Sequence, residues 1–162
     1  VRENLGLYSA PLPLDMHPVL GNNKVLADQL ELRALDVFGE YGGQKIGLKG
    51  QLDPISAEGL GIKLENRLGS PVKVIGSGEI RTLGIVSGGA ADLLGQAAEA
   101  GLDAYLTGEG ANHHYHESIE SECILLLAGH YATETGGVKS VGKYLEEQFG
   151  MKTEYLDYPT GI

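Results

Sequence analysis

Along this chain, short apolar runs alternate with segments whose apolar residues recur every three or four positions. The runs KIGLKGQL, PVKVIG, IRTLGIVSG, LDAYLTG and ECILLLAG read as strands, and KTEYLDY reads as a last one. Near the start, NLGLYSA (Asn4 to Ala10) reads as a short buried strand. The PLPLDMHP that follows reads as a turn-rich loop, because prolines 11, 13 and 18 remove donors and fix φ. Helical spacing places Val25, Leu26 and Leu30 on one face of a helix capped by Asn22 or Asn23 and running to about Glu31. A second helix is expected after Asp53-Pro54, read as cap and first helical position; Leu60, Leu64 and Leu68 share its face and Gly69 stops it. Further helices are predicted from about Ala90 to Ala100, from about Asn112 to Glu120, and through Val138, Val141, Leu145 and Phe149 to Gly150. Between Leu35 and Gly43 three glycines interrupt the pattern and mark a boundary or crossover.

Continuously apolar strands interleaved with amphipathic helices imply sheets covered on both sides, hence an α/β fold. Composition narrows the function. No apolar run approaches the roughly 18 residues of a membrane span, and no charged-then-apolar signal sequence opens the chain. With 12 basic and 22 acidic side chains the formal charge is −10, which repels a phosphate backbone and disfavours general nucleic-acid binding. The single Cys123 can form no internal disulfide, so the cytoplasm is the expected compartment. The first residue is Val rather than Met, which suggests a missing beginning.

Five histidines carry most of the candidate chemistry: His17, His113, His114, His116 and His130. In HHYHESIE, His116 and Glu120 are spaced i, i+4, which on a helix stacks both side chains on one face with Cβ atoms ~6 Å apart. Such a pair suits zinc, iron or manganese. A solvated helix start explains the same residues. Asp15 follows the first apolar segment, where a βα loop would set it at a sheet's carboxyl edge; equally, it suits a turn aspartate bonded to its own backbone. His17 reads as a supporting or a surface residue. GHYATETGG carries His130 at a strand end and Glu134 four residues on, where either the helix dipole or catalysis accounts for a carboxylate. The glycine loops at 76–78 and 87–89 lack the Lys-Ser/Thr ending of a phosphate loop and read as tight turns. There is no Ser-His-Asp order, paired CxxC or dinucleotide fingerprint.

Taken together, LYSAPLPLDMHPVLGNNKVLA, GLKG, VSGGAADLL, AYLTGE, HHYHESIE, AGHYATETGGVKSVGKYLEEQFG and DYPTGI resemble the Nif-three-like family, often catalogued as GTP cyclohydrolase type 2 homologs. The resemblance covers nearly the whole chain. It implies a toroidal hexamer of two-part α/β subunits whose mixed sheets are covered by helices, with a dinuclear metal centre in an inward-facing cleft. On it, Asp15 carries over from the aspartate of LPLD, and His116 and Glu120 from the H-x-x-x-E helix. The family's remaining ligands, a His-His pair in an upstream HHG segment, have no counterpart here, and Pro11 stands where many members place a histidine. Residues 1–37 are therefore expected to be the remainder of an incomplete N-terminal α/β half, and 38–162 the C-terminal portion. Two divalent ions are expected in the complete protein and at most one in this chain.

The function so implied is a metal-dependent hydrolase whose activated water opens the imidazole ring of a nucleotide such as GTP with loss of formate, His114 or Glu134 shuttling the proton. The alternative is a non-catalytic metal-binding scaffold or regulatory protein with protein partners. Asp15, His116 and Glu120 are expected to converge on one cleft, and the protein to form a homo-oligomer, most simply a hexamer.

Overall fold

The structure is a computed structural model that describes residues 5–159. One six-stranded mixed sheet, in the order β1-β2-β4-β5-β6-β3, organises it. Its strands are β1 (Arg33–Tyr41), β2 (Gln44–Ser56), β3 (Lys73–Ile75), β4 (Glu79–Ile85), β5 (Ala104–Thr107) and β6 (Ile124–Leu127). β4, β5 and β6 run parallel to one another, β2 lies antiparallel to β4, and β1 and β3 close the two edges antiparallel to their neighbours.

The period-two alternation of the central strands divides the core. Leu83, Ile85, Ala104, Leu106, Ile124 and Leu126 face one side with Leu26, Ala27, Leu30, Leu60 and Leu64, which come from helices α2 (Asn22–Gln29) and α3 (Ala57–Leu68). Tyr105 and Leu125 face the other with Leu93, Leu94 and Ala97, from a 3-10 turn (Ala91–Leu93) and helix α4 (Leu94–Glu99). Helix α5 (His113–Ser121) packs on α4, β3 and β6. Helix α1 (Pro11–Asp15) packs on α2 and β2, while α7 (Thr135–Phe149), which follows the single turn α6 (His130–Thr133), packs on α2. Position 37/38 lies within β1, and one core cluster joins Leu26 to Leu106 across it.

The sheet-and-helix order matches the periodicity, with local corrections. Residues 5–10 form no strand, and Leu7 and Tyr8 are exposed, because no other described strand pairs with them; Asn4 lies outside the described residues. PLPLD is a helical turn rather than a loop: Pro11 opens it, where a missing N–H costs no intrahelical bond. Asp53-Pro54 does not start a helix. It sits inside β2, where the register to β4 slips between Gln51 and Ile55 and so accommodates a proline, and Ser56 caps α3 by accepting the Gly59 N–H at 3.0 Å. KTEYLDY forms no strand; Thr153 donates to Glu146 instead.

Candidate functional site

In an open α/β sheet, the loops leaving the carboxyl ends of neighbouring parallel strands meet at one edge, and ligand sites collect there. Here three such loops converge: Ser87-Gly88-Gly89 after β4, Gly108-Glu109 after β5 and Gly129-His130 after β6. Backbone bonds join them beyond the strands. Gly108 N–H donates to Gly88 O at 2.7 Å and Gly129 N–H to Gly108 O at 2.8 Å. Thr107 Oγ1 donates to Gly88 O at 2.9 Å, and Thr133 Oγ1 accepts the Gly88 N–H at 3.0 Å. The loop backbones thus form a cross-braced platform.

On this platform stand four ionisable side chains. His130 Nδ1 lies 2.8 Å from Glu109 Oε1, and its Nε2 lies 3.3 Å from Glu134 Oε1, one helical turn further on. Asp15 reaches the same place from α1. Its Oδ1 accepts from Asn22 Nδ2 at 2.7 Å and Ser87 Oγ at 3.1 Å, and its charge is felt at Glu134. Burial, the largest influence, pushes the Glu134 carboxyl up, and the neighbouring Asp15 charge adds to that, while His130 opposes it. The His130 imidazole is raised, first by its hydrogen bond to Glu109 and then by the charges of Glu134 and Glu109, against burial. Gly88 keeps the floor open: its φ is +73°, and a Cβ there would collide with a Glu134 oxygen and stand 3.2 Å from His130 Nε2.

Asn22 and Asn23, expected as helix caps, are buried braces instead, and Gly21 holds the cap position of α2. Asn23 donates to Ile46 O and accepts from Ser87 N–H, both at 2.8 Å. Asn22 donates to Asp15 and accepts from Gly137 N–H of α7 at 2.6 Å, an approach that a Cβ on Gly137 would block at 2.7 Å. No sequence signal marks this role, because a buried asparagine and a capping one occur in the same position before an apolar helix. For His130 and Glu134 the signal was present: H-x-x-x-E directly after the apolar run ILLLAG.

The structure does not bring His116 and Glu120 to Asp15. Both are exposed on α5, which leads from the carboxyl end of β5 back to the start of β6, so Glu120 is carried toward the opposite edge of the sheet. His114 is buried with both nitrogens engaged: Nδ1 accepts the Ala111 N–H at 2.9 Å and Nε2 meets Asp92 Oδ1 at 3.0 Å. Asp92, His113 and His114 nonetheless place ligand atoms within 4.8 Å of one another, a His/Asp cluster able to hold a metal ion. Occupancy would break one of the two His114 bonds. His17 caps its own turn, its Nδ1 accepting from Leu20 N–H at 3.0 Å.

This edge-of-sheet arrangement is that of a mixed α/β protein with a histidine-carboxylate cluster, and comparison with known proteins assigns it. Residues 1–159 match the family model Duf34/NIF3 (NGG1p interacting factor 3), and the chain belongs to that family. It is 44% identical over 162 residues to the GTP cyclohydrolase 1 type 2 homolog of Halobacterium salinarum, covering 96% of this chain and 64% of that protein. Against the protein of the same name from Deinococcus radiodurans it is 36% identical, covering 100% and 63%. Among solved structures, protein ybgI superposes with a TM-score of 0.85 at 32% identity, over 96% of this chain and 63% of that one. TTHA1606 from Thermus thermophilus superposes at 0.81 with 35% identity, over 96% and 62%. The chain thus spans a little under two thirds of the length of these relatives.

Proposed function

We propose that this chain carries part of a metal-dependent hydrolase acting on a nucleotide such as GTP, with its metal site at the carboxyl edge of β4, β5 and β6. The observation that carries the reading is the His130 imidazole held between Glu109 and Glu134 over the side-chain-free floor at Gly88, with Asp15 anchored to Ser87 of the same loop. These residues fit a divalent ion. The two hydrogen bonds to the Asp15 carboxylate both fall on Oδ1, leaving Oδ2 for a further partner. Imidazole and carboxylate donors suit zinc, iron or manganese. Asp15, His130 and Glu134 would hold the ion, which when bound supplies Lewis acidity and lowers the pKa of a coordinated water. Asn22 and Ser87 orient Asp15, and the Gly108 and Gly129 N–H bonds hold the loops in register.

The nucleotide substrate is supported by the name shared by the relatives and by the family resemblance. We also propose a cytoplasmic homo-oligomer, most simply a hexamer, binding at most one ion per chain of this length. Exposed Val138, Tyr144 and Phe149 on α7 support association, and among the described residues no helix is long and apolar enough to cross a membrane. Incubating the zinc- or manganese-loaded protein with GTP tests the activity: formate release that a chelator abolishes is expected. Tight ion binding with no nucleotide consumed would replace the hydrolase by a metal-binding scaffold.

A further inference from the structure

We propose that Glu109 is a positioning residue that decides which nitrogen of His130 carries the proton. The ring lies between two carboxylates, with Glu109 Oε1 2.8 Å from Nδ1 and Glu134 Oε1 3.3 Å from Nε2. An ionised carboxylate only accepts hydrogen bonds, so each demands the proton of a neutral ring. The shorter contact is Glu109's, which selects the Nδ1–H tautomer and leaves the Nε2 lone pair turned toward Glu134 and the floor at Gly88. Without Glu109, Glu134 is the remaining carboxylate partner and holds the proton on Nε2, the nitrogen a metal would need.

Glu109 is well placed for this work. It follows Gly108, where a Cβ would come within 2.6 Å of the His130 backbone and 2.7 Å of Gly88 O, so the loops from β4, β5 and β6 are pressed together at this point. Its Oε1 also lies against Gly89, 2.9 Å from where a Cβ would stand. Because Glu109 and Glu134 meet opposite nitrogens of the ring, Glu109 acts through His130 rather than beside Glu134. Partners that orient a ligating imidazole this way are typically worth 10- to 100-fold in metal affinity. The ligand role of His130 rests on the metal-site reading proposed above; the choice of tautomer does not.

The test is long-range ¹H–¹⁵N correlation of the imidazole nitrogens in metal-free protein, at a pH above the titration of the ring, together with zinc titration calorimetry. Wild-type His130 should show the proton on Nδ1. Glu109→Gln keeps shape but replaces an obligate acceptor by a group that can donate, so the proton should move to Nε2, with a zinc affinity about 10- to 100-fold weaker. Glu109→Ala should do the same. A proton on Nε2 in the wild type, or a tautomer unchanged in both variants, would overturn the proposal. His130→Ala separates the two claims. If it leaves zinc binding intact while Glu109→Gln still moves the proton, the metal-site reading fails and the positioning role stands. If it abolishes zinc binding while neither Glu109 variant moves the proton, the reverse holds.

Discussion

Two segments of this protein carry the same His-x-x-x-Glu spacing, and the fold treats them oppositely. His116 and Glu120 stand exposed on α5 beside a run of further histidines. His130 and Glu134 straddle the junction of α6 and α7, and there the imidazole meets two carboxylates, with Asp15 near enough to raise Glu134. The spacing makes both pairs neighbours along a helix. α5 carries the first away from the carboxyl edge, whereas the second begins directly after β6, beside the ends of β4 and β5, and there meets Glu109. Local spacing sets adjacency, and strand order sets convergence.

The largest effect that would sharpen this contrast is expected from Asn22→Ala. It removes the donor to Asp15 Oδ1 and strands the Gly137 N–H, both buried, and should destabilise the protein by about 2–4 kcal/mol in chemical denaturation. Gly88→Ala follows. A side chain at φ +73° that also collides with Glu134 should cost about 1–3 kcal/mol and crowd the site.

A smaller effect is a pH dependence confined to the His130 region. Its imidazole is raised in the folded state, chiefly by Glu109, so the stabilisation is complete below the unfolded value of about 6.5 and is lost as pH rises through the folded value. Melting temperature of metal-free protein should therefore decline from about pH 6 to about pH 8. Solvent screening of the partly exposed ring keeps the change below about 1 kcal/mol, and His130→Ala should flatten it. Burial raises Glu134 as well, and its contribution has the same sign, fading as pH rises from about 4.3. Smallest of all, His116→Ala and Glu120→Ala should each shift stability by about 0.5 kcal/mol or less.

Much of this was legible in the chain. The apolar runs of β4, β5 and β6 and the leucine spacing of α3 led directly to a helix-covered sheet; Asp15 does bond to the loop after β4, but from a helical turn and not from a loop after a strand. What escaped has physical reasons. An apolar run such as LGLYSA looks the same whether or not a strand lies beside it. Asparagines that brace loops and asparagines that cap helices share one sequence signal. Above all, the three His-x-x-x-Glu pairs, His113/Glu117, His116/Glu120 and His130/Glu134, cannot be ranked by spacing, because which one stands at the carboxyl edge of β4, β5 and β6 depends on the order of strands in the sheet.

On the proposed function, the ion belongs to the carboxyl edge of β4, β5 and β6 and not to α5. Zinc titration calorimetry on His130→Ala and His116→Ala, side by side with the unsubstituted chain, tests it most directly. His130→Ala should weaken zinc binding by more than about 100-fold, beyond the range of a merely orienting partner, while His116→Ala should bind as the unsubstituted chain does. Loss of binding in His116→Ala with full binding in His130→Ala would contradict it.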